Sequence, residues 1–87
     1  MAWTLEYAPT VRKQLRKLGH VEGQRITKTL DEIAELDDPR SRGHALTGDL
    51  GGLWRYRVGD WRIIARFENQ RLVILVIEIG HRREVYR

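Results

Sequence analysis

The chain has 87 residues, 41% of them hydrophobic, a formal net charge of +4 and no cysteine. That length allows one domain around one small core, and the composition is that of a globular chain rather than a disordered one. The absence of cysteine excludes disulfides, thiolate catalysis and every cysteine-ligated metal site.

Met1–Tyr7 lacks the charged start and apolar stretch of a signal peptide, and the longest apolar run, Leu72–Ile77, is too short to cross a bilayer. A single cytoplasmic domain over residues 1–87, with no membrane partner, is therefore expected. A core of this size leaves net stability on the order of a few kcal/mol, so a tightly bound partner would add substantially to it.

In chain order, residues 2–7 alternate Trp3, Leu5 and Tyr7 with polar neighbours, which predicts a first strand. Ala8-Pro9-Thr10 ends it and opens a helix in which Val11, Leu15 and Leu18 recur at helical spacing before Gly19. A second helix is predicted from Val21 to Leu36, with Ile26, Leu30 and Ile33 on one face, stopped at Asp37-Asp38-Pro39. With only Gly19-His20 between them, the two helices form an antiparallel hairpin. Residues 40–52 read as loop, punctuated by Gly43, Gly48, Gly51 and Gly52.

The period then changes to two. Leu53–Val58 is a strand, Gly59-Asp60 a turn and Trp61–Phe67 a second strand of the hairpin. Asn69-Gln70 turns again into Leu72–Ile79, apolar almost throughout and so expected to be central and covered on both faces. The order β-α-α-β-β-β predicts an α+β fold, a small and mostly antiparallel sheet with the two-helix hairpin packed on one face.

Charge is divided unevenly along this order. Residues 1–43 carry eight basic and seven acidic side chains, whereas residues 44–87 carry eight basic, all arginine, against five acidic. The guanidinium group presents a fixed fork that suits phosphate, so an all-arginine half points to a phosphate-bearing ligand. A general preference for arginine codons would produce the same composition, and the positions must separate the two readings.

Alternation places Trp54, Tyr56 and Val58 on one side of their strand and Arg55 and Arg57 on the other. A two-residue turn at Gly59-Asp60 then pairs Val58 with Trp61, Arg57 with Arg62, Tyr56 with Ile63 and Arg55 with Ile64. Arg55, Arg57, Arg62 and Arg66 share the face away from the helices in that register. Like charges facing each other across strands cost roughly 0.2–1 kcal/mol, so Arg57 opposite Arg62 is a choice that stability alone does not favour. A polyanion bridging the two would offset it. A solvated face neutralised by Asp60 or Glu84 is the alternative.

Beyond the last strand, Gly80 lets the chain bend so that Arg82 or Arg83, and Tyr86, can reach the arginine face. Tyr86 there would stack on a base or take part in proton transfer.

The hairpin Trp54–Ile64, the ending Gly80–Arg87 and the preceding Gly43–Gly48 together resemble the RelE/ParE toxin superfamily. The likeness covers essentially the whole chain and is nearest to RelE-type mRNA interferases of type II toxin–antitoxin systems. It implies a ribosome-dependent endoribonuclease, neutralised by a cognate antitoxin and meeting operator DNA only through the antitoxin complex. The family's basic residues on the second strand, the arginine starting the third, the arginine after the fourth and the tyrosine close behind fall on Arg55, Arg57, Arg62, Arg82 and Tyr86. RelE itself has lysines at the first two, so a purely electrostatic role follows for the arginines here. The shorter segment before Tyr86 leaves Arg82 and Arg83 as alternatives for one role.

Such a site implies attack of the RNA 2′-hydroxyl on the adjacent phosphorus, with Arg62 and Arg82 stabilising charge on the non-bridging oxygens. Tyr86 would remove the 2′-proton or stack on a base, with Arg66, Arg83 and His81 as further RNA contacts. His81 is a candidate general acid for the leaving 5′-oxygen, against a structural histidine at the bend. His20 and His44 read as surface residues. No cofactor is implied and no metal site is proposed, because three scattered histidines and no acidic cluster at ligand spacing do not make one. Two rival classes share the pattern: a ParE-like inhibitor of DNA gyrase, and a basic nucleic-acid-binding module without chemistry.

Overall fold

A computed structural model describes residues 3–81. Along the chain run β1 (Thr4–Tyr7), α1 (Pro9–Leu18), α2 (His20–Ala34), β2 (His44–Ala45), β3 (Leu53–Val58), β4 (Trp61–Glu68) and β5 (Val73–His81). Short 3-10 turns at Pro39–Arg42 and Gly48–Leu50 flank β2. Pro9 occupies the first turn of α1, where its missing N–H leaves nothing unpaired, and Gly19 alone separates the helices.

The strands form one sheet in the order β1-β5-β4-β3-β2, antiparallel except for β1, which lies parallel to β5. Val11, Ile26, Leu30, Ile33 and Ala34 from the helices pack against Tyr56, Val58, Ile63, Ala65, Ile74, Val76 and Ile79 from the sheet. Each fully buried aliphatic side chain of this set contributes about 1.5–3 kcal/mol over an exposed one. Trp3, Leu5 and Tyr7 also pack on this cluster, so β1 faces inward. Burial pushes the Tyr7 phenol up to about 12, with the Asp31 carboxylate adding to the effect. Its hydroxyl is buried with no hydrogen-bond partner among the described residues.

The α+β class, the helix hairpin on one face and the mostly antiparallel sheet follow the sequence expectation. Besides the end of α2, at Ala34 rather than Leu36, three details differ. The segment read wholly as loop contains β2, whose two residues are too few to show a period. The last strand begins at Val73 rather than Leu72, because Leu72 closes the preceding turn with φ of 52. That strand is flanked by neighbours on both edges, yet Leu75 and Ile77 are only half-buried and Glu78 is exposed, so its second face is not sealed.

The loop carrying β2 is fixed by side chains. Tyr56, 1% exposed, donates its hydroxyl to the Pro39 carbonyl at 2.8 Å, and Trp54 donates its indole N–H to the Arg40 carbonyl at 3.1 Å. The Arg40 guanidinium lies 4.2 Å from the Phe67 ring centre and 5.5 Å from that of Trp3, and donates to the Asn69 side chain. Gly43 must be glycine for this arrangement. A Cβ there would stand 2.6 Å from Nε1 of Trp54 and 2.7 Å from the Arg55 carbonyl oxygen.

Candidate functional site

The face of the sheet away from the helices is laid out by strand register. Directly paired residues share a face, so three rows cross it. One row is Arg57, Arg62 and Gly80; the next is His44, Arg55, Ile64 and Glu78; the third is Leu53, Arg66, Leu75 and Glu6. Between the second and third rows the β4–β5 ladder shifts register, with Ile64 opposite Glu78 but Ala65 opposite Val76, leaving Ile77 as the extra residue of a bulge.

The hairpin pairing is the one alternation predicts, from Val58 with Trp61 to Arg55 with Ile64. Its turn is closed by Gly59 at φ of 59, the positive value that the first central position of a type II′ turn requires. A Cβ at Gly59 would also meet the Arg25 guanidinium at 3.1 Å.

The four arginines of this face are in different states. Arg57 is exposed and forms no salt bridge among the described residues. Arg62, directly opposite, is only 7% exposed, and its Nη1 donates to the carbonyls of Gly59 at 3.2 Å and Trp61 at 3.3 Å. Those bonds fix the guanidinium at the turn end of the hairpin. Arg55 is half-buried beside them. Arg66 lies at the other end, 3.8 Å from the Glu68 carboxylate, while Arg71 binds the same carboxylate at 2.7 Å and Glu6 at 3.4 Å. Positive charge is therefore partly compensated at Arg66 and uncompensated by any described acid at Arg57.

His81 does not join this face. Gly80 takes the place opposite Arg62, so alternation turns residue 81 to the helix side, where it pairs with Trp61 and the two rings meet edge to face at 5.7 Å. The Trp61 indole N–H is held by the Glu22 carboxylate at 3.0 Å. Arg82, Arg83 and Tyr86 lie outside the described residues.

Among residues of the face not read from sequence as part of it, two share the row of Arg55. His44, read as a loop residue, stands opposite Arg55, and Glu78 stands opposite Ile64. Counting back one residue from the core-facing Ile79 would have found Glu78; nothing in a two-residue strand would have found His44. Among the described residues no group of three or more His, Cys, Asp or Glu could hold a metal ion. A groove of about 400 Å³, lined by Leu15, Arg16, Gly19, His20, Gly23, Gln24 and Thr27, opens on the helix pair rather than on the arginines. On the arginine face Arg57, Arg66 and Glu78 are exposed while Arg62 and Ile64 are buried, so its charge is presented along a line of exposed side chains rather than in a closed pocket, a form that suits a polymeric anion better than a small ligand.

The sequence matches the family model described as the ParE toxin of the type II toxin–antitoxin system parDE over residues 5–86. It is 30% identical to the mRNA interferase toxin RelE of Escherichia coli strain K12, over 99% of this chain and 92% of that one. It is 28% identical to toxin RelG of Mycobacterium tuberculosis, over 100% of this chain and 99% of the relative. The fold is similar to the archaeal RelE–RelB complex of Pyrococcus horikoshii OT3, with a TM-score of 0.73 and 26% identity, covering 98% of this chain and 100% of that one.

Proposed function

As the chain belongs to the ParE toxin family of type II toxin–antitoxin systems, we propose that it is a cytoplasmic toxin acting as an endoribonuclease on ribosome-bound message. A cognate antitoxin neutralises it, and operator DNA is met only through the antitoxin complex. The observation that carries the reading is the pairing of Arg57 with Arg62, beside Arg55, on the face of the sheet that α1 and α2 do not cover. A protein that only had to fold would place an acid at one of those two positions. A scissile phosphate reaching Arg57 supplies negative charge that no described acid gives it.

In this reading the 2′-oxygen forms a bond to phosphorus and the bond from phosphorus to the 5′-oxygen breaks, leaving a 2′,3′-cyclic phosphate and a 5′-hydroxyl. Arg62 is the pre-oriented donor, held by two carbonyls and so able to meet developing charge with little reorganisation. Arg57 and Arg55 attract and clamp the backbone, and Arg66 extends the track. Arg82 or Arg83 and Tyr86 complete the site, the tyrosine stacking on the exposed base or sharing in proton transfer. Similarity to RelE, named an mRNA interferase, supports the chemistry, and similarity to a RelE–RelB complex supports the antitoxin.

The family also contains ParE toxins, which makes inhibition of DNA gyrase the second reading. Induced expression separates the two. Under the nuclease reading growth stops, primer extension maps cuts within codons of translated messages, and Arg62→Ala and Tyr86→Phe relieve toxicity while antitoxin binding persists. Whole messages together with gyrase-dependent DNA breaks would overturn it.

A further inference from the structure

The arginine face contains a carboxylate that its charge pattern does not explain. Glu78 is exposed, stands on β5 opposite Ile64, and lies one pair away from the row of Arg57, Arg62 and Gly80. Diagonal neighbours on adjacent strands are about 7–8 Å apart at the backbone, within reach of long side chains. Yet Glu78 forms no salt bridge among the described residues, whereas Glu6 and Glu68, further along the same sheet, are engaged by Arg71 and Arg66. A carboxylate placed to neutralise the arginines would be paired with one of them. A face built only to hold phosphate would have no acid at this point, since its charge repels the ligand.

The bulge adds a second, independent sign. The extra residue, Ile77, immediately precedes Glu78, and bulges of this kind bend a strand and re-aim the side chains beside them. Chemistry supplies the third. Transfer of phosphorus to a 2′-oxygen needs a group that removes the hydroxyl proton, and a guanidinium, being always protonated, cannot accept one.

Resting on the endoribonuclease reading, we propose that Glu78 is the general base of the reaction, taking the proton from the attacking 2′-hydroxyl. As the 2′-oxygen bonds to phosphorus, its proton passes to the Glu78 carboxylate. The 5′-oxygen departs with the electron pair of its bond to phosphorus and takes a proton from water, and Glu78 returns its own proton to solvent. The groups facing Glu78 from the neighbouring strands are Arg62 and Arg66 on β4 and Glu6 on β1, the last held by Arg71. The base therefore sits between the row of Arg57 and Arg62 at one end of the face and Arg66 with its Glu68 partner at the other.

The test is single-turnover cleavage of a defined message on programmed ribosomes, with the full chain in excess, across a range of pH. The wild-type rate should fall toward acid as the base is protonated. Glu78→Gln should cut about 100-fold more slowly, as expected for loss of a general base, and its profile should lose the acidic limb. Glu78→Asp should keep that limb with a smaller loss. Binding to the same ribosomes should be as tight or tighter in Glu78→Gln, because a repulsive charge is gone. A Glu78→Gln variant that cuts within a few-fold of wild type, keeps the acidic limb, or is slow only because it binds weakly overturns the assignment while leaving the endoribonuclease reading intact. A wild-type chain that leaves the message whole overturns both.

Discussion

Arg57 faces Arg62 directly across the β3–β4 hairpin, and the two like charges oppose the pairing of the strands that carry them. Arg57→Glu turns that repulsion into attraction. It should stabilise the isolated chain by about 0.5 kcal/mol, a rise of about 2–4 °C in Tm for a domain of this size. Message cleavage should be lost in the same variant. Thermal unfolding of the purified protein beside a growth assay reads both, and a fall in Tm would show that the pair is not in conflict.

The unequal states of Arg57 and Arg66 predict unequal contributions to binding. Each phosphate contact to a single strand adds about 0.7 to the slope of log affinity against log salt concentration. Arg57→Ala should lower that slope by about this amount. Arg66→Ala, whose guanidinium is already shared with Glu68, should lower it by less. Fluorescence titration of a labelled RNA at several salt concentrations measures the difference, and equal slopes for both variants would contradict it.

Alkaline pH should unfold the protein earlier than its length alone suggests. Burial pushes the phenol of Tyr7 up to about 12 from 10.0, and that of Tyr56 up as well, the latter also through Asp38 and against the opposing charges of Arg40 and Arg42. A phenol with a raised folded pKa holds its proton more tightly in the folded state. Its contribution is intact below about pH 10 and is lost as pH climbs through the folded value. Tyr7→Phe should flatten that decline, and it should gain up to about 1 kcal/mol at neutral pH by removing a buried hydroxyl that has no described partner. Urea unfolding at pH 7 and above pH 10 checks both effects.

Gly43→Ala should strike the loop that delivers β2. Its Cβ would enter the space of the Trp54 ring and the Arg55 carbonyl, which are ring and backbone rather than a flexible tip. A destabilisation of about 1–3 kcal/mol is expected, with a change in tryptophan fluorescence as the indole leaves the Arg40 carbonyl. If the Tm and emission stay as in wild type, the approach is looser than described.

The hairpin was legible in sequence because two strong signals agree there: alternation from Trp54 to Val58, and a glycine-first turn that fixes the register. The helices were legible from the spacing of Val11, Ile26, Leu30 and Ile33, although the second ends at Ala34 rather than Leu36. The second face of β5 was not. Its apolar run reads the same whether or not a residue is inserted, so the bulge at Ile77 left no mark, and Glu78 lost its visible place among the arginines. His81 was drawn toward those arginines by the charged sequence around it, whereas the ladder turns it to Trp61. The two-residue β2 owes its existence to side chains far along the chain, Trp54 and Tyr56, which no local pattern reveals.

The parallel pairing of β1 with β5 joins Thr4 to Val73, residues from opposite halves of the chain. During synthesis, β1 has no neighbour to pair with until the final strand has left the ribosome, and without β5 the remaining strands offer the helices only part of a sheet. Closing so long a loop is slow and gains nothing until it is complete. The sheet is therefore completed only when β5 takes its place between β1 and β4, and until then the face that carries Arg57, Arg62 and Glu78 lacks one of its strands.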